Sequence, residues 1–206
     1  MSAEPIMEPV MTQVDPIDVL SAFEGASPMP IRPEYVEGTV IVPPQPDFKH
    51  SNGAVRLAVQ FHSAGIELAG MGMGFRAALK DGETTALVVP DLYVVRREPT
   101  ELDESYRKTH GGWYPIDMLA LVGEVTSSNH EMDTGPKFRA YAAAGVPVYV
   151  LVDRHSRTAH CYTNPVLPDE GPTEAYYTDD TKVALGEPLP LPAPYPVLDT
   201  APFLTD

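Results

Sequence analysis

Two acidic residues interrupt apolar runs, where a carboxylate needs electrostatic compensation. Asp91 follows Pro90 within residues 87–95, and Glu124 lies within residues 119–125. A buried, unpaired carboxylate costs several kcal/mol or shifts its pKa. If the two acids lie on adjacent strands they repel each other, and a divalent cation relieves that repulsion. Hard oxygen ligands of this kind select Mg²⁺ or Mn²⁺, so we predict a metal site at Asp91 and Glu124.

A third candidate, Lys137, is predicted near the start of a helix. Asp133, Lys137 and Tyr141 recur at four-residue spacing and therefore share one helix face. Pro136 is tolerated only in the first turn, which places Lys137 close to the end of the Glu124 strand. An ammonium group there could stabilise a pentavalent phosphate or help to activate a water molecule beside a metal.

Each of these residues also has a purely structural interpretation. Asp91 after proline could be a turn residue, and Glu124 could pair with an arginine such as Arg139. Asp133 could be only a helix N-cap, and Lys137 only a solvated helix charge. The order of these residues along the chain, rather than any one of them, favours the catalytic interpretation.

The elements that must position these residues alternate between helix and strand. Helices are predicted from Pro16, over 48–64 and over 133–144. Strands are predicted over 35–42, 84–89, 91–95, 118–125, 146–152, 158–163, 175–178 and 182–185. Residues 98–115, charged and glycine-rich, are predicted to form a long functional or mobile loop. This order predicts an α/β (mixed α+β) fold with a central mixed β-sheet flanked by helices.

Length and composition predict one domain with tails. We expect a flexible N-terminal segment over 1–15, a domain over 16–185 and a proline-rich C-terminal tail over 186–206, which could dock a protein partner. The single cysteine excludes an intrachain disulfide and a multi-cysteine metal site. With no signal peptide and no apolar run of membrane-spanning length, we expect a cytoplasmic protein that does not enter the membrane.

The charge of the chain limits how it could meet nucleic acid. With 14 Lys and Arg against 29 Asp and Glu, the net charge is −15. Backbone affinity for nucleic acid depends on cations that neutralise phosphates, so a broad basic face is excluded. A small local basic patch that contacts nucleic acid is not excluded by this charge.

The chain resembles the Uma-type putative restriction endonuclease family of the PD-(D/E)xK nuclease superfamily over residues 16–185. The resemblance is carried by Pro90-Asp91, by Leu121-Val122-Gly123-Glu124-Val125, by the spacing of Asp133, Lys137 and Tyr141, and by Gly145-Val146-Pro147. It implies a restriction-endonuclease-like core, with Asp91 and Glu124 as ligands of Mg²⁺ or Mn²⁺. The superfamily lysine two residues after the second acid is Thr126 here, so the resemblance assigns that role to Lys137.

The resemblance also implies supporting residues around this site. Glu37 would add an outer acidic group, and Asp133 would orient Lys137. His50, near the start of the helix over 48–64, is a candidate for phosphate contact, although a surface or capping role is an alternative. We expect the acids Glu37, Asp91, Glu124 and Asp133 to cluster at one site, where a divalent cation offsets part of their charge.

These observations predict a metal-dependent endonuclease that hydrolyses DNA phosphodiester bonds. A homodimer would allow paired subunits to cleave both strands. The alternative is a non-catalytic or regulatory binding module on a nuclease fold, which docks a protein partner through the proline-rich tail. A third interpretation is a structural protein whose acids form only salt bridges.

Overall fold

The computed structural model describes residues 14–127 and 130–204. Most of the segment predicted to be flexible, residues 1–13, lies outside the described residues. The described helices are α1 (Pro16–Ala26), α2 (Phe48–Ser63), α3 (Glu101–Thr109), α4 (His130–Thr134) and α5 (Pro136–Ala143). The described strands are β1 (Glu34–Val36), β2 (Thr39–Ile41), β3 (Ala69–Gly70), β4 (Phe75–Ala78), β5 (Thr84–Val88), β6 (Leu92–Val95), β7 (Tyr114–Pro115), β8 (Leu119–Val125), β9 (Val148–Asp153), β10 (Thr158–Val166) and β11 (Tyr176–Ala184). Within these ranges, no helix is both long and apolar enough to cross a membrane.

Within the described chain, the strands form two mixed sheets where one central sheet is predicted. The first has the order β2-β1-β5-β4-β7, with β4 and β7 parallel. The second has the order β11-β10-β9-β8-β6-β3, with β8 and β9 parallel. The run predicted as two strands around Pro90 crosses from β5 in the first sheet to β6 in the second. Proline cannot donate a ladder hydrogen bond, so the chain leaves one sheet at this position and enters the other.

The strands β6, β8 and β9 of the second sheet are buried on both faces, which accounts for their nearly continuous apolar sequences. Val122 and Tyr149 pack with Tyr141 of α5 on one face. Leu121 and Val150 pack on the other face, against α2 and the segment after β11. Since side chains alternate along a strand, Glu124 shares the face of Val122 and points toward α5.

The predicted loop over 98–115 is wrong, because α3 occupies its centre. Thr100 caps this helix: its hydroxyl accepts from the Asp103 N–H, and the Asp103 carboxylate accepts from the Thr100 N–H. This reciprocal capping box and the pair between Glu104 and Arg107 stabilise a helix whose large apolar residues are only Leu102 and Tyr106. The charged composition of residues 101–109 led to the prediction of a loop at this position.

The helix predicted over 133–144 is two helices, α4 and α5. The break falls at Gly135, which precedes Pro136 and serves as the N-cap of α5. A residue before proline is disfavoured in the helical conformation, which explains the position of the break. Asp133 therefore lies within α4 and is not the N-cap of the helix that carries Lys137.

The strand predicted over 35–42 is the hairpin of β1 and β2. Its turn places Glu37 and Gly38 at φ angles of 49° and 78°, in the left-handed region. Both residues are therefore at the tip of the turn, outside the ladder that pairs Val36 with Thr39. The strands predicted over 175–178 and 182–185 are a single strand, β11.

The segment that follows β11 folds back onto the core. Leu189 and Leu198 form an antiparallel bridge and are fully buried in the cluster that contains Phe61 of α2. Gln60 donates a hydrogen bond to the Asp199 carbonyl at 3.1 Å. Both buried leucines therefore belong to the core.

Candidate active site

Five polar side chains from separate elements line one cavity of about 620 Å³. Asp91 lies at the crossing between the two sheets, and Glu124 lies near the end of β8. Lys137 is in the first turn of α5, His50 in the first turn of α2, and Glu34 on β1. The fold thus brings together residues from both halves of the chain.

Asp91 and Glu124 are connected directly through the backbone. The Asp91 N–H donates to Glu124 Oε2 at 3.2 Å, and the Val125 N–H donates to Asp91 Oδ2 at 2.9 Å. His50 Nε2 lies 2.9 Å from the same Asp91 oxygen. Asp91 Oδ1 accepts no hydrogen bond from any residue that the structure describes. One oxygen of this carboxylate is therefore held in place and the other remains available.

Lys137 is a buried cation surrounded by carboxylates. Its ammonium nitrogen lies 3.1 Å from Glu34 Oε2, 3.2 Å from Glu124 Oε1 and 3.9 Å from Asp133 Oδ1. Glu34 and Glu124 are each 2% exposed. The Lys137 side chain is therefore not the solvated helix charge that its sequence context also allowed.

Tyrosine hydroxyls complete the buried part of the site. Tyr141 donates to Glu124 Oε1 at 2.7 Å, so this oxygen accepts from both Tyr141 and Lys137. Tyr149 donates to the Asp133 carbonyl at 2.7 Å and ties α4 to β9. The spacing of Asp133, Lys137 and Tyr141 therefore predicted a real grouping, even though a helix break separates its first member.

Four carboxyl groups surround Lys137 and His50 in this cluster, namely those of Glu34, Asp91, Glu124 and Asp133. Burial raises the pKa of Glu124 well above its usual range, an effect that Lys137 opposes. Burial also raises the pKa of Asp133 to about 7. Burial alone would lower the pKa of Lys137, but Glu124, Glu34 and Asp133 hold it well above its usual range. Lys137 therefore stays charged, whereas the raised pKa values of Glu124 and Asp133 favour the protonated form of both carboxyl groups.

His50 contacts Asp91 from α2, which packs on the face of the second sheet opposite to α5. Burial alone would lower its pKa, but the hydrogen bond and charge of Asp91 raise it overall. Its Nδ1 atom is buried and has no hydrogen-bond partner among the residues that the structure describes. His50 contacts Asp91 directly, and the phosphate contact expected from the sequence stays a prediction.

Glu37 does not join this cluster, contrary to expectation. It lies at the hairpin tip and accepts two hydrogen bonds from Arg139, at 2.6 and 2.8 Å. Arg139 is therefore the partner of Glu37 and not of Glu124. The acid that joins the cluster is Glu34, whose Oε1 accepts from the Val89 N–H. The sequence signal for Glu34 is weak: it shares the buried face of Val36 at two-residue spacing, but it stands one position before the predicted strand.

The donor set fits a divalent cation that is held by two carboxylates. Asp91 Oδ1 is free of hydrogen bonds from the described residues, and Glu124 Oε2 accepts only one. No group of three His, Cys, Asp or Glu side chains within residues 14–127 and 130–204 is placed to hold an ion together. Mg²⁺ usually binds proteins through one or two carboxylates and completes its coordination with water and substrate phosphates. Asp91 and Glu124 would provide such a site.

Comparison with solved structures defines the class of fold. A putative nuclease belonging to DUF820 from Anabaena variabilis ATCC 29413 matches with a TM-score of 0.56 at 17% sequence identity, covering 89% of this chain and 96% of that chain. This likeness and the two helix-flanked mixed sheets show an α/β protein with a restriction-endonuclease-like fold.

The sequence comparison then specifies the family. The model of the Uma2 family, described as "Putative restriction endonuclease", matches residues 21–193, well over half of the chain. The protein belongs to the Uma2 family. None of the curated proteins matches it.

Proposed function

We propose that this protein is a metal-dependent endonuclease that hydrolyses phosphodiester bonds in DNA. One observation carries this proposal: Asp91 and Glu124 are hydrogen-bonded neighbours that line the same cavity as the ammonium-bearing Lys137. Membership of the Uma2 family supports a nuclease, since its description is of a restriction endonuclease.

Asp91 and Glu124 would hold Mg²⁺ or Mn²⁺. Such an ion neutralises charge on a phosphate and lowers the pKa of a water molecule. The Val125 N–H and His50 both hold Asp91 Oδ2, so the orientation of this carboxylate is fixed before any ligand arrives. Preorganised ligands of this kind avoid the cost of ordering them on binding.

Lys137 would stabilise the negative charge that develops on a phosphate oxygen. Its ammonium is held between Glu34 and Glu124, and it lines the cavity in a region that is largely shielded from solvent. A fixed positive charge in such surroundings interacts more strongly with developing charge than it would in water. Arg32 also lines the cavity and would attract the phosphate.

The direct test is cleavage of plasmid and single-stranded DNA with Mg²⁺ or Mn²⁺. We expect the wild-type protein to cleave DNA, and Asp91→Ala and Glu124→Ala to abolish cleavage. Glu37→Ala is the matched control, since this acid is outside the cluster. Cleavage that persists in the Asp91 and Glu124 variants would overturn the assignment of these residues as metal ligands. A wild-type protein that cleaves neither plasmid nor single-stranded DNA would overturn the proposed nuclease function.

The second candidate is a non-catalytic binding module on a nuclease fold, with a protein as its partner. The net charge of −15, which opposes unassisted engagement of DNA, favours it. Calorimetric titration with Mn²⁺ separates the two candidates. Binding that is lost in Asp91→Ala favours the endonuclease, and no binding in the millimolar range favours the module.

A further inference from the structure

A second cleft, of about 590 Å³, lies beside the active-site cavity. We call it the basic cleft. Its polar lining includes Lys49, Asn52, Ser127, Arg154, His155 and Arg157. Within the described residues, Lys49, Arg154 and Arg157 face a single acidic lining residue, Asp47. The chain as a whole has 14 Lys and Arg against 29 Asp and Glu, so the cleft reverses the charge balance of the protein.

The basic cleft adjoins the active-site cavity. Ser127 lines both. Asp47 of the basic cleft accepts a hydrogen bond from the N–H of His50, which lines the cavity, at 2.7 Å. A ligand that occupies the cavity could therefore extend directly into the cleft.

Two of the three Lys and Arg side chains of the cleft are available to a ligand. Lys49 and Arg157 are exposed, and neither forms an ion pair with a residue that the structure describes. Arg154 contacts Asp47 through Nη1 at 3.0 Å. Unpaired exposed cations gain more from an incoming anion than cations that are already neutralised, because no existing pair must be broken.

The backbone beneath these cations is fixed relative to Glu124. The Arg154 N–H donates to the Thr126 hydroxyl at 2.8 Å, and this hydroxyl donates to Asp153 Oδ1 at 3.3 Å. The turn between β9 and β10 is thereby tied to the residue that follows β8. Charges on this turn therefore have a set position with respect to the catalytic acids.

An aromatic side chain also lines the basic cleft. Phe48, the first residue of α2, is 82% exposed. An exposed phenylalanine beside lysine and arginine is typical of surfaces that bind single-stranded nucleic acid, where bases stack on the ring and cations follow the backbone. Both features occur here in one cleft.

We propose that the basic cleft binds the strand of DNA that leaves the active-site cavity, with Lys49 and Arg157 contacting its backbone phosphates and Phe48 stacking on an unpaired base. The identity of the strand rests on the proposed function. The acidic cavity would hold the phosphodiester that reacts, and the basic cleft would hold the adjacent nucleotides of the same strand. A protein with a charge of −15 thus gains a local site for a polyanion.

The test is the affinity for a short fluorescein-labelled single-stranded DNA, measured by fluorescence anisotropy in EDTA at several salt concentrations. We expect the double variant Lys49→Glu/Arg157→Glu to weaken binding about tenfold or more at low salt. Losing two phosphate contacts with single-stranded DNA should also reduce the slope of log K against log salt by about 1.4. Phe48→Ala should weaken binding without changing this slope, because stacking releases no counterions.

The matched control is Lys80→Glu/Lys182→Glu. Both lysines are exposed, and this variant has the same net charge as the cleft variant. We expect its affinity and salt slope to remain close to wild type. Equal weakening in the two double variants, or an unchanged salt slope in the cleft variant, would overturn the proposal.

The assay also separates this inference from the proposed function. Binding in EDTA does not depend on cleavage or on the metal ligands. A wild-type protein that binds DNA through the cleft but does not cleave it would overturn only the proposed function. If the protein cleaves DNA but its affinity for single-stranded DNA is unchanged by the cleft substitutions, only this inference is overturned.

Discussion

The ammonium nitrogen of Lys137 lies 3.2 Å from Glu124 Oε1, although the two residues are 13 positions apart and belong to a helix and a strand. The same nitrogen contacts Glu34 at 3.1 Å. One buried cation therefore balances acids from both sheets. Its removal should affect the stability of the fold as well as the chemistry of the site.

Replacing Lys137 with methionine should destabilise the protein by about 3–5 kcal/mol at neutral pH, because it leaves Glu34 and Glu124 buried without a cation. Urea denaturation followed by circular dichroism measures this loss. Lys108→Met, on the exposed face of α3, should change stability by about 0.5 kcal/mol or less. A similar small effect at Lys137 would mean that its contacts contribute little.

Mn²⁺ binding should depend on Asp91 and Glu124 but not on Glu37. In calorimetric titrations we expect Asp91→Asn and Glu124→Gln to lose binding, because each removes a negatively charged oxygen ligand. Glu37→Gln should bind like wild type, since Glu37 pairs with Arg139 at the hairpin tip. If Glu37→Gln were the variant that lost binding, the metal site would lie at the hairpin.

The metal-free protein should become less stable as the pH rises from about 4 to 7. Burial raises the pKa of Asp133 from 3.8 to about 7, so the folded protein binds a proton that the unfolded chain has already released. Stability falls with pH wherever the folded state binds more protons, here by up to about 4 kcal/mol. Glu124 contributes with the same sign, since its pKa is also raised.

Asp133→Asn isolates the contribution of Asp133. The variant cannot ionise at this position, so its stability should fall less between pH 4 and 7 than that of wild type. Urea denaturation in EDTA across this pH range measures the difference. Parallel stability curves for the two proteins would show that Asp133 titrates normally.

The cap of α3 should contribute measurable stability. Thr100→Ala removes the hydroxyl that accepts from Asp103 N–H, and we expect a loss of about 1 kcal/mol in urea denaturation. Ser105→Ala, an exposed position within the same helix, should have almost no effect. Equal effects at both positions would argue against the capping box.

The failure to predict α3 has a physical basis. Most helices are recognised by an apolar stripe, and α3 has instead Glu101, Asp103, Glu104, Arg107 and Lys108. Its stability comes from capping and from charges placed favourably along the helix dipole. These signals are present in the sequence, but glycine and net polarity around them favoured the interpretation as a loop.

The sequence by itself determined that Asp91 and Glu124 interrupt apolar runs and that Lys137 stands in the first turn of a helix. Local rules suffice for this, because strand alternation, helix spacing and the limits on proline act over a few residues. The acids of the cluster were therefore mostly identified before their positions were known.

Only the tertiary structure decided which glutamate of the first hairpin joins the site. Glu34 and Glu37 are three residues apart, but the turn places them in different surroundings. Glu37 accepts a hydrogen bond from Arg139, 102 positions away, and Glu34 accepts one from the Val89 N–H, 55 positions away. The basic cleft likewise combines the start of α2 with the turn after β9. Such contacts depend on how distant elements pack, and no local pattern specifies them.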